Sequence, residues 1–126
     1  MSRISVQVIR ARDLKREDGL LGKNDPYVEL SIGHRLLGGQ KHKTATVKNQ
    51  TGDVQFENEI FEFNAKPSDE LKIKVLDDDL VHDDDIGHTK IPLDTLFQSG
   101  QILQWYQIGE GSKVRGQVEL RLTVIQ

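Results

Sequence analysis

Six carboxylates fall within nine consecutive positions: Asp77, Asp78, Asp79, Asp83, Asp84 and Asp85. Carboxylates at that density suit calcium, a hard cation that takes about six to eight oxygens at roughly 2.3–2.6 Å. Where a strand ends, successive side chains alternate, so Asp77 and Asp79 point to one side and Asp78 to the other. The first and third then converge on one ion, and Asp83 or Asp84 can return from the far arm of the turn. Without a cation, charges this close repel one another and spread into solvent as an acidic hairpin. The spacing is not that of an EF-hand loop, because the central glycine and the closing glutamate are missing.

A second acidic segment lies upstream. Glu17 and Asp18 precede Gly19-Leu20-Leu21-Gly22-Lys23-Asn24, and Asp25-Pro26-Tyr27-Val28 then enters an apolar run. Asp25 also fits a plain turn, since Asp before Pro commonly starts one. Together the two segments hold nine acids, leaving eleven against the 17 Lys and Arg of the whole chain, although the net charge is −3. Charge is therefore polarised along the sequence, and bulk composition gives no basic signal for nucleic acid.

The elements that must position these loops are read from periodicity. Apolar residues alternate in short runs: Ile4, Val6, Val8; Val28, Leu30, Ile32; Phe61, Phe63; Leu71, Ile73, Val75; and Val118, Leu120, Leu122, Val124. A period of two in many short runs predicts antiparallel strands with one face buried. Turn-rich pieces separate them at 18–26, 33–40, 49–53, 67–70, 77–87 and 109–116. One short helix is predicted at Leu93-Asp94-Thr95-Leu96-Phe97, stopped by Ser99-Gly100. The expectation is an all-β, eight-stranded antiparallel sandwich forming one domain over residues 1–126.

Order and spacing make the resemblance specific. Acid, Gly-containing loop and Asp25-Pro26-Tyr27-Val28 resemble the first calcium loop of C2 domains, the calcium and lipid modules of protein kinase C and synaptotagmins. Asp77-x-Asp79, with Asp84 three residues before Gly87, resembles the third. Lys43-Thr44 opening a strand, Asn58-Glu59-x-Phe61-x-Phe63, Ile86-Gly87 followed by Ile91-Pro92-Leu93, and Trp105-Tyr106 are further landmarks, so the likeness runs from Ile4 to Val124. It implies a C2-like Greek key and, as calcium ligands, Asp18, Asp25, Asp77, Asp79 and Asp84, for two ions. Backbone carbonyls of Glu17 and Asp78 would complete the shells. The first loop is one residue longer than the family's, which makes Glu17 a competitor for Asp18. The third is one residue shorter, which leaves the return ligand open among Asp83, Asp84 and Asp85. The usual Asn-Pro-x-Trp before the Asn58-Glu59 motif is absent, with Phe56 the nearest aromatic.

Leu20, Leu21, Leu80 and Val81 are apolar where exposed loops are normally polar, and each pair sits inside an acidic segment. They are the expected membrane-inserting tips, with folding back under the loop as the alternative, above all for Leu21. Arg35, Lys41, Lys43 and Lys48, with His42, Lys72 and Lys74, resemble the family's cationic surface for phosphoinositides. Alternation, however, divides Lys41 and Lys43 from His42 and Lys48, which also fits an ordinary solvated face. The expected function is calcium-dependent binding of anionic phospholipid membranes. The rival is a protein-interaction module using a sheet face or edge, with calcium absent or structural.

No cysteine is present, which excludes disulfides and suits a reducing compartment. No apolar run approaches a spanning helix, Ser2 stands where myristoylation needs glycine, and Met1 leads into Ser2-Arg3-Ile4-Ser5-Val6, unlike a signal peptide. These features suit a cytoplasmic monomer recruited peripherally to membranes, and the absence of linkers suits a small standalone protein. Catalysis is not expected. There is no nucleophile elbow, phosphate loop or zinc signature, and His34, His42, His82 and His88 are scattered.

Overall fold

The computed structural model describes residues 2–15, 25–34, 38–48, 52–78, 83–109 and 111–125. Its elements are β1 (Ser2–Arg12), β2 (Pro26–His34), β3 (Gly38–Lys43), β4 (Val54–Ala65), β5 (Glu70–Asp77), β6 (Asp84–Pro92), α1 (Asp94–Ser99), β7 (Gln101–Ile108), a 3-10 turn at Gly111–Lys113, and β8 (Gly116–Val124). Two four-stranded sheets form, β4-β1-β8-β7 and β3-β2-β5-β6. Every pairing is antiparallel. The predicted eight-stranded sandwich with one short helix is therefore the fold. Among the described residues no helix is long and apolar enough to cross a membrane.

The alternating runs face one another between the sheets. Ile4, Val6, Val8, Leu120 and Leu122 from one sheet, and Val28, Leu30, Ile32, Leu71, Ile73 and Val75 from the other, are fully buried. Burying side chains of this size is worth about 1.5–3 kcal/mol each, enough to fix which face of every strand looks inward. α1 closes one end with Leu96 buried. Its stop is Gly100, in the left-handed region at φ 85°, whose N–H donates to the Leu96 carbonyl.

Side chains and close backbone approach seal both seams between the sheets. On one side Gln40 makes a two-way bridge to the backbone of Asn64, 2.8 Å in each direction, and Glu59 accepts the Ala45 N–H at 2.9 Å. His42 turns toward this seam, stacked on Phe61 and edge-on to Phe63. On the other side the Gly109 N–H donates to the His88 carbonyl at 2.9 Å. Edge strands that would otherwise offer open ladders are partly occupied in this way.

Three boundaries differ from the sequence reading. The turn expected at 33–40 is shorter, because Gly38 and Gly39 pair with His34 and Gly33 through backbone alone. The landmark Lys43-Thr44 ends a strand instead of opening one: Thr44 donates its N–H to the Val28 carbonyl and accepts the Val28 N–H on its hydroxyl, so its side chain replaces a ladder bond. The acidic turn is shorter than 77–87, since Asp84 already pairs with Asp77.

Gly109 sits at φ 87°, and a Cβ there would lie 2.1 Å from the Lys113 carbonyl oxygen. Gly109→Ala is expected to cost at least about 2 kcal/mol in urea unfolding followed by Trp105 emission, and an unchanged midpoint would contradict this turn geometry.

Candidate functional site

β2, β5 and β6 carry the acidic residues to one end of the sandwich. Because β5 buries Ile73 and Val75, its next inward position is Asp77. Register sets Asp84 directly across from Asp77 and Pro26 on its other side. Cross-strand partners share a face, so Asp77 and Asp84 lie on the same side, at the mouth of the space between the sheets. Asp25 is stitched to this pair: its N–H donates to Asp77 Oδ1 at 2.8 Å, and its carbonyl accepts the Asp78 N–H at 2.9 Å. Both acidic segments therefore meet at a fixed spacing.

A β-bulge assigns the remaining acids elsewhere. The β5–β6 register shifts between Val75 and Leu76, which pair with Gly87 and Asp85, leaving Ile86 as the extra residue. Asp85 consequently falls on the outer face with Leu76, where its Oδ2 lies 3.1 Å from His88 Nδ1 and 3.9 Å from Lys74 Nζ. Asp83 accepts the hydroxyl hydrogen of Tyr27, a buried ring of that same outer row. Burial first, and this bond to a carboxylate second, push the Tyr27 hydroxyl well above the ordinary phenol range. Asp78 points away from Asp77, as alternation predicts, and its Oδ2 accepts the Thr46 hydroxyl at 3.1 Å. That bond ties the 44–48 segment to the acidic turn, a role for Thr46 that no spacing pattern signals.

Glu17, Asp18, Leu20, Leu21, Arg35, Asp79, Leu80 and Val81 lie outside the described residues. Among the described residues no three carboxylate or imidazole groups already form a metal cluster. Asp25, Asp77 and Asp84 nevertheless have the right chemistry for calcium, being hard oxygen donors on adjoining strand ends.

The outer face of β3-β2-β5-β6 is cationic. Register aligns Lys43, Glu29, Lys74 and His88 in one row, and Lys41, Ser31, Lys72 and Lys90 in the next. Lys41 and Lys43 thus share a face with Lys72 and Lys74, while His42 turns to the seam and Lys48 stands in the loop after β3. Lys90 joins them unforeseen, although its alternation with His88 was there to be read.

Comparison with known proteins agrees with this architecture. The family model described as the C2 domain matches residues 2–108. The chain belongs to the C2 domain family. Extended synaptotagmin-1 of Mus musculus is 32% identical over 126 residues, covering 94% of this chain and 11% of the relative. This C2 domain therefore spans about a tenth of the length of that relative. Among solved structures, a pair of C2 domains from extended synaptotagmin 2 aligns with a TM-score of 0.81 at 26% identity, over 98% of this chain and 40% of that one. A structure of the same two domains titled calcium bound aligns at 0.77 and 25% identity, over 98% and 45%.

The Tyr27–Asp83 bond gives this C2 domain a measurable link between sheet and acidic turn. Tyr27→Phe is expected to lower stability without calcium by about 1–2 kcal/mol, read from the urea midpoint, and no loss would show that the bond contributes nothing in solution.

Proposed function

We propose that this C2 domain binds anionic phospholipid membranes reversibly in response to calcium, as a non-catalytic, monomeric module recruited from the cytoplasm. The observation that carries the proposal is the inward-facing pair Asp77 and Asp84, with Asp25 hydrogen-bonded beside it. The relative titled calcium bound supports the choice of ion. Asp18 and Asp79 complete the side-chain set for two ions, with the carbonyls of Glu17 and Asp78. Asp84 is the return ligand, because Asp85 is turned toward Lys74 and His88 and Asp83 takes the Tyr27 hydroxyl.

Bound calcium supplies positive charge and open coordination positions that lipid phosphates can fill. The residues do the rest. Unneutralised, the loop carboxylates repel an anionic bilayer; neutralised, they let Leu20, Leu21, Leu80 and Val81 reach the headgroup boundary. On the outer face, Lys41, Lys43, Lys72, Lys74 and Lys90 form a second, phosphoinositide-binding surface, to which Lys48 and Arg35 add their charge. Surface lysines contribute about 1 kcal/mol each near anionic lipid.

Sedimentation with phosphatidylserine vesicles is expected to pellet the protein with calcium and leave it in the supernatant with EDTA. Failure to pellet at saturating calcium sinks the membrane reading in favour of a protein-interaction module. Calorimetric calcium titration is expected to lose its signal in Asp77→Asn/Asp79→Asn and to weaken at least about tenfold in Asp84→Asn. Asp85→Asn should stay within about threefold; the reverse order would make Asp85 the ligand. On vesicles containing phosphoinositide, Lys41→Ala/Lys72→Ala/Lys90→Ala is expected to weaken binding roughly 100-fold, and unchanged binding removes the lysine surface from the proposal.

A further inference from the structure

The outer face of the other sheet has a different chemistry. Arg12 lies over the Trp105 ring, its guanidinium carbon 3.9 Å from the centroid, and Arg10 approaches the same ring at 5.4 Å. Each is held by its Nε: Arg12 donates to Gln117 at 2.6 Å, and Arg10 to Glu119 at 2.8 Å. Two guanidinium forks are thus held in place over an indole, and the bonds that hold them use the inner nitrogen and leave the terminal Nη donors for a ligand. Anchored arginines lose less side-chain freedom on meeting a planar carboxylate than mobile ones do.

One strand step further along, two exposed aliphatic side chains stand at the ends of a row. Register aligns Ile60, Gln7, Arg121 and Leu103 across the four strands. Ile60 is 60% exposed and Leu103 53%, two of the three large exposed hydrophobic residues among those described. Trp105 and Leu103 stand two residues apart on one edge strand, about 7 Å, which is also the same-face spacing of an extended peptide. Trp, Arg and exposed aliphatic side chains in one strip are the composition of an interface centre.

We propose that this face, centred on Arg10, Arg12, Trp105 and Leu103, docks an extended acidic protein segment. Charge complementarity chooses the occupant. On β1, β8 and β7, Arg10, Arg12 and Arg121 outnumber the one carboxylate, Glu119, which Arg10 already engages; the other acids of this face, Glu57 and Glu62, stand on the far edge strand β4, with Asp53 just before it accepting the Asp13 N–H at 3.1 Å. Carboxylates of the segment meet the Nη groups of Arg10 and Arg12, and an apolar side chain two residues on covers Leu103. A bilayer fits less well: Arg12 ends β1 at the loop end, but Arg121 and Leu103 lie two outward rows further down the side of the sandwich, where a membrane met end-on by the loops does not reach.

Trp105 is the only tryptophan in the chain, so its emission reports on the site directly. The experiment is a titration in EDTA with a blocked peptide, Glu-Glu-Leu-Glu-Leu-Glu-Glu, which keeps its outcome independent of calcium binding. Expected are a saturable change in Trp105 emission, affinity at least about tenfold lower in Arg10→Gln/Arg12→Gln and in Leu103→Ser, and a partial loss in Arg12→Lys, which keeps charge but not the flat stack. Lys66→Ala, in the turn between β4 and β5 and outside both surfaces, should bind as the parent does. Absence of a saturable change overturns the proposal, as does equal binding by the double variant at an unchanged urea midpoint. An equal response to the peptide with Lys in place of Glu would leave only apolar contact and overturns it too. If phosphatidylserine vesicles in EDTA give the same arginine-dependent change, the face reads lipid; if dilution of the protein alone changes emission, it reads a second copy. Either result replaces the acidic segment as occupant.

Discussion

Each sheet buries every second residue of its strands against the other sheet, and that parity decides where all the functional side chains go. In β5 the inward set is Leu71, Ile73 and Val75, so Lys72 and Lys74 must face out and Asp77 must face the mouth of the core. In β1 the inward set Ile4, Val6 and Val8 sends Ser5 and Gln7 outward. A slip of one residue in any strand would bury lysines and expose valines, a penalty of many kcal/mol summed over a strand. The acidic end and the lysine face follow from the same packing, with no separate device holding them. Even the bulge at Ile86 acts through parity. It resets β6 so that Asp84 shares a side with Asp77 while Asp85 goes outward to Lys74 and His88.

Against that fixed frame, the problem at the loop end is to hold several carboxylates close together without a cation. The described part of the structure gives these oxygens donors. Asp77 takes a backbone N–H, Asp78 a threonine hydroxyl, Asp83 a tyrosine hydroxyl, and Asp85 an imidazole, with the Lys74 ammonium 3.9 Å away as an ion-pair partner only. Hydrogen bonds to ionised groups are worth about 1.5–3 kcal/mol each, enough to keep the strand ends paired despite repulsion. These donors also sort the acids. Asp83 and Asp85 are bound to outward-facing groups, whereas Asp25, Asp77 and Asp84 belong to adjoining strand ends at the core mouth. Several acids in one turn therefore do different work, although their side chains are chemically the same.

Which parts were legible in the sequence follows from which parts are local. Period-two runs such as Leu71-x-Ile73-x-Val75 carry their own burial pattern, and the helix stop at Ser99-Gly100 is a local backbone requirement, so strands, sandwich and helix were readable. The end of β3 was not, because Thr44 stops it by bonding to Val28, sixteen residues away in sequence. The return ligand stayed open for a similar reason: Asp83, Asp84 and Asp85 differ only by the placement of a bulge, and no residue type announces one at Ile86. The lysine surface was half legible. Alternation separated Lys41 from His42 correctly, but joining Lys41 to Lys72 and Lys90 required knowing that β2 lies between β3 and β5. The Arg12–Trp105 stack was out of reach, since it spans β1, β8 and β7, elements from opposite ends of the chain.

The two outer faces differ in how their positive charge is held, and that difference bears on what each can recognise. On β3-β2-β5-β6 the cations are lysines, hydrated point charges on flexible stems, with Lys41 reaching Glu29 only at 3.6 Å. Such a surface responds to charge density and loses strength in salt, which suits a headgroup layer whose phosphates have no fixed register. On β4-β1-β8-β7 the cations are arginines anchored through Nε and laid on a ring, so their remaining donors have direction. Directional donors beside exposed Leu103 discriminate shape as well as charge, which a protein segment offers and a fluid lipid surface does not. Strand order places the two faces back to back across one core, so occupying one leaves the other accessible.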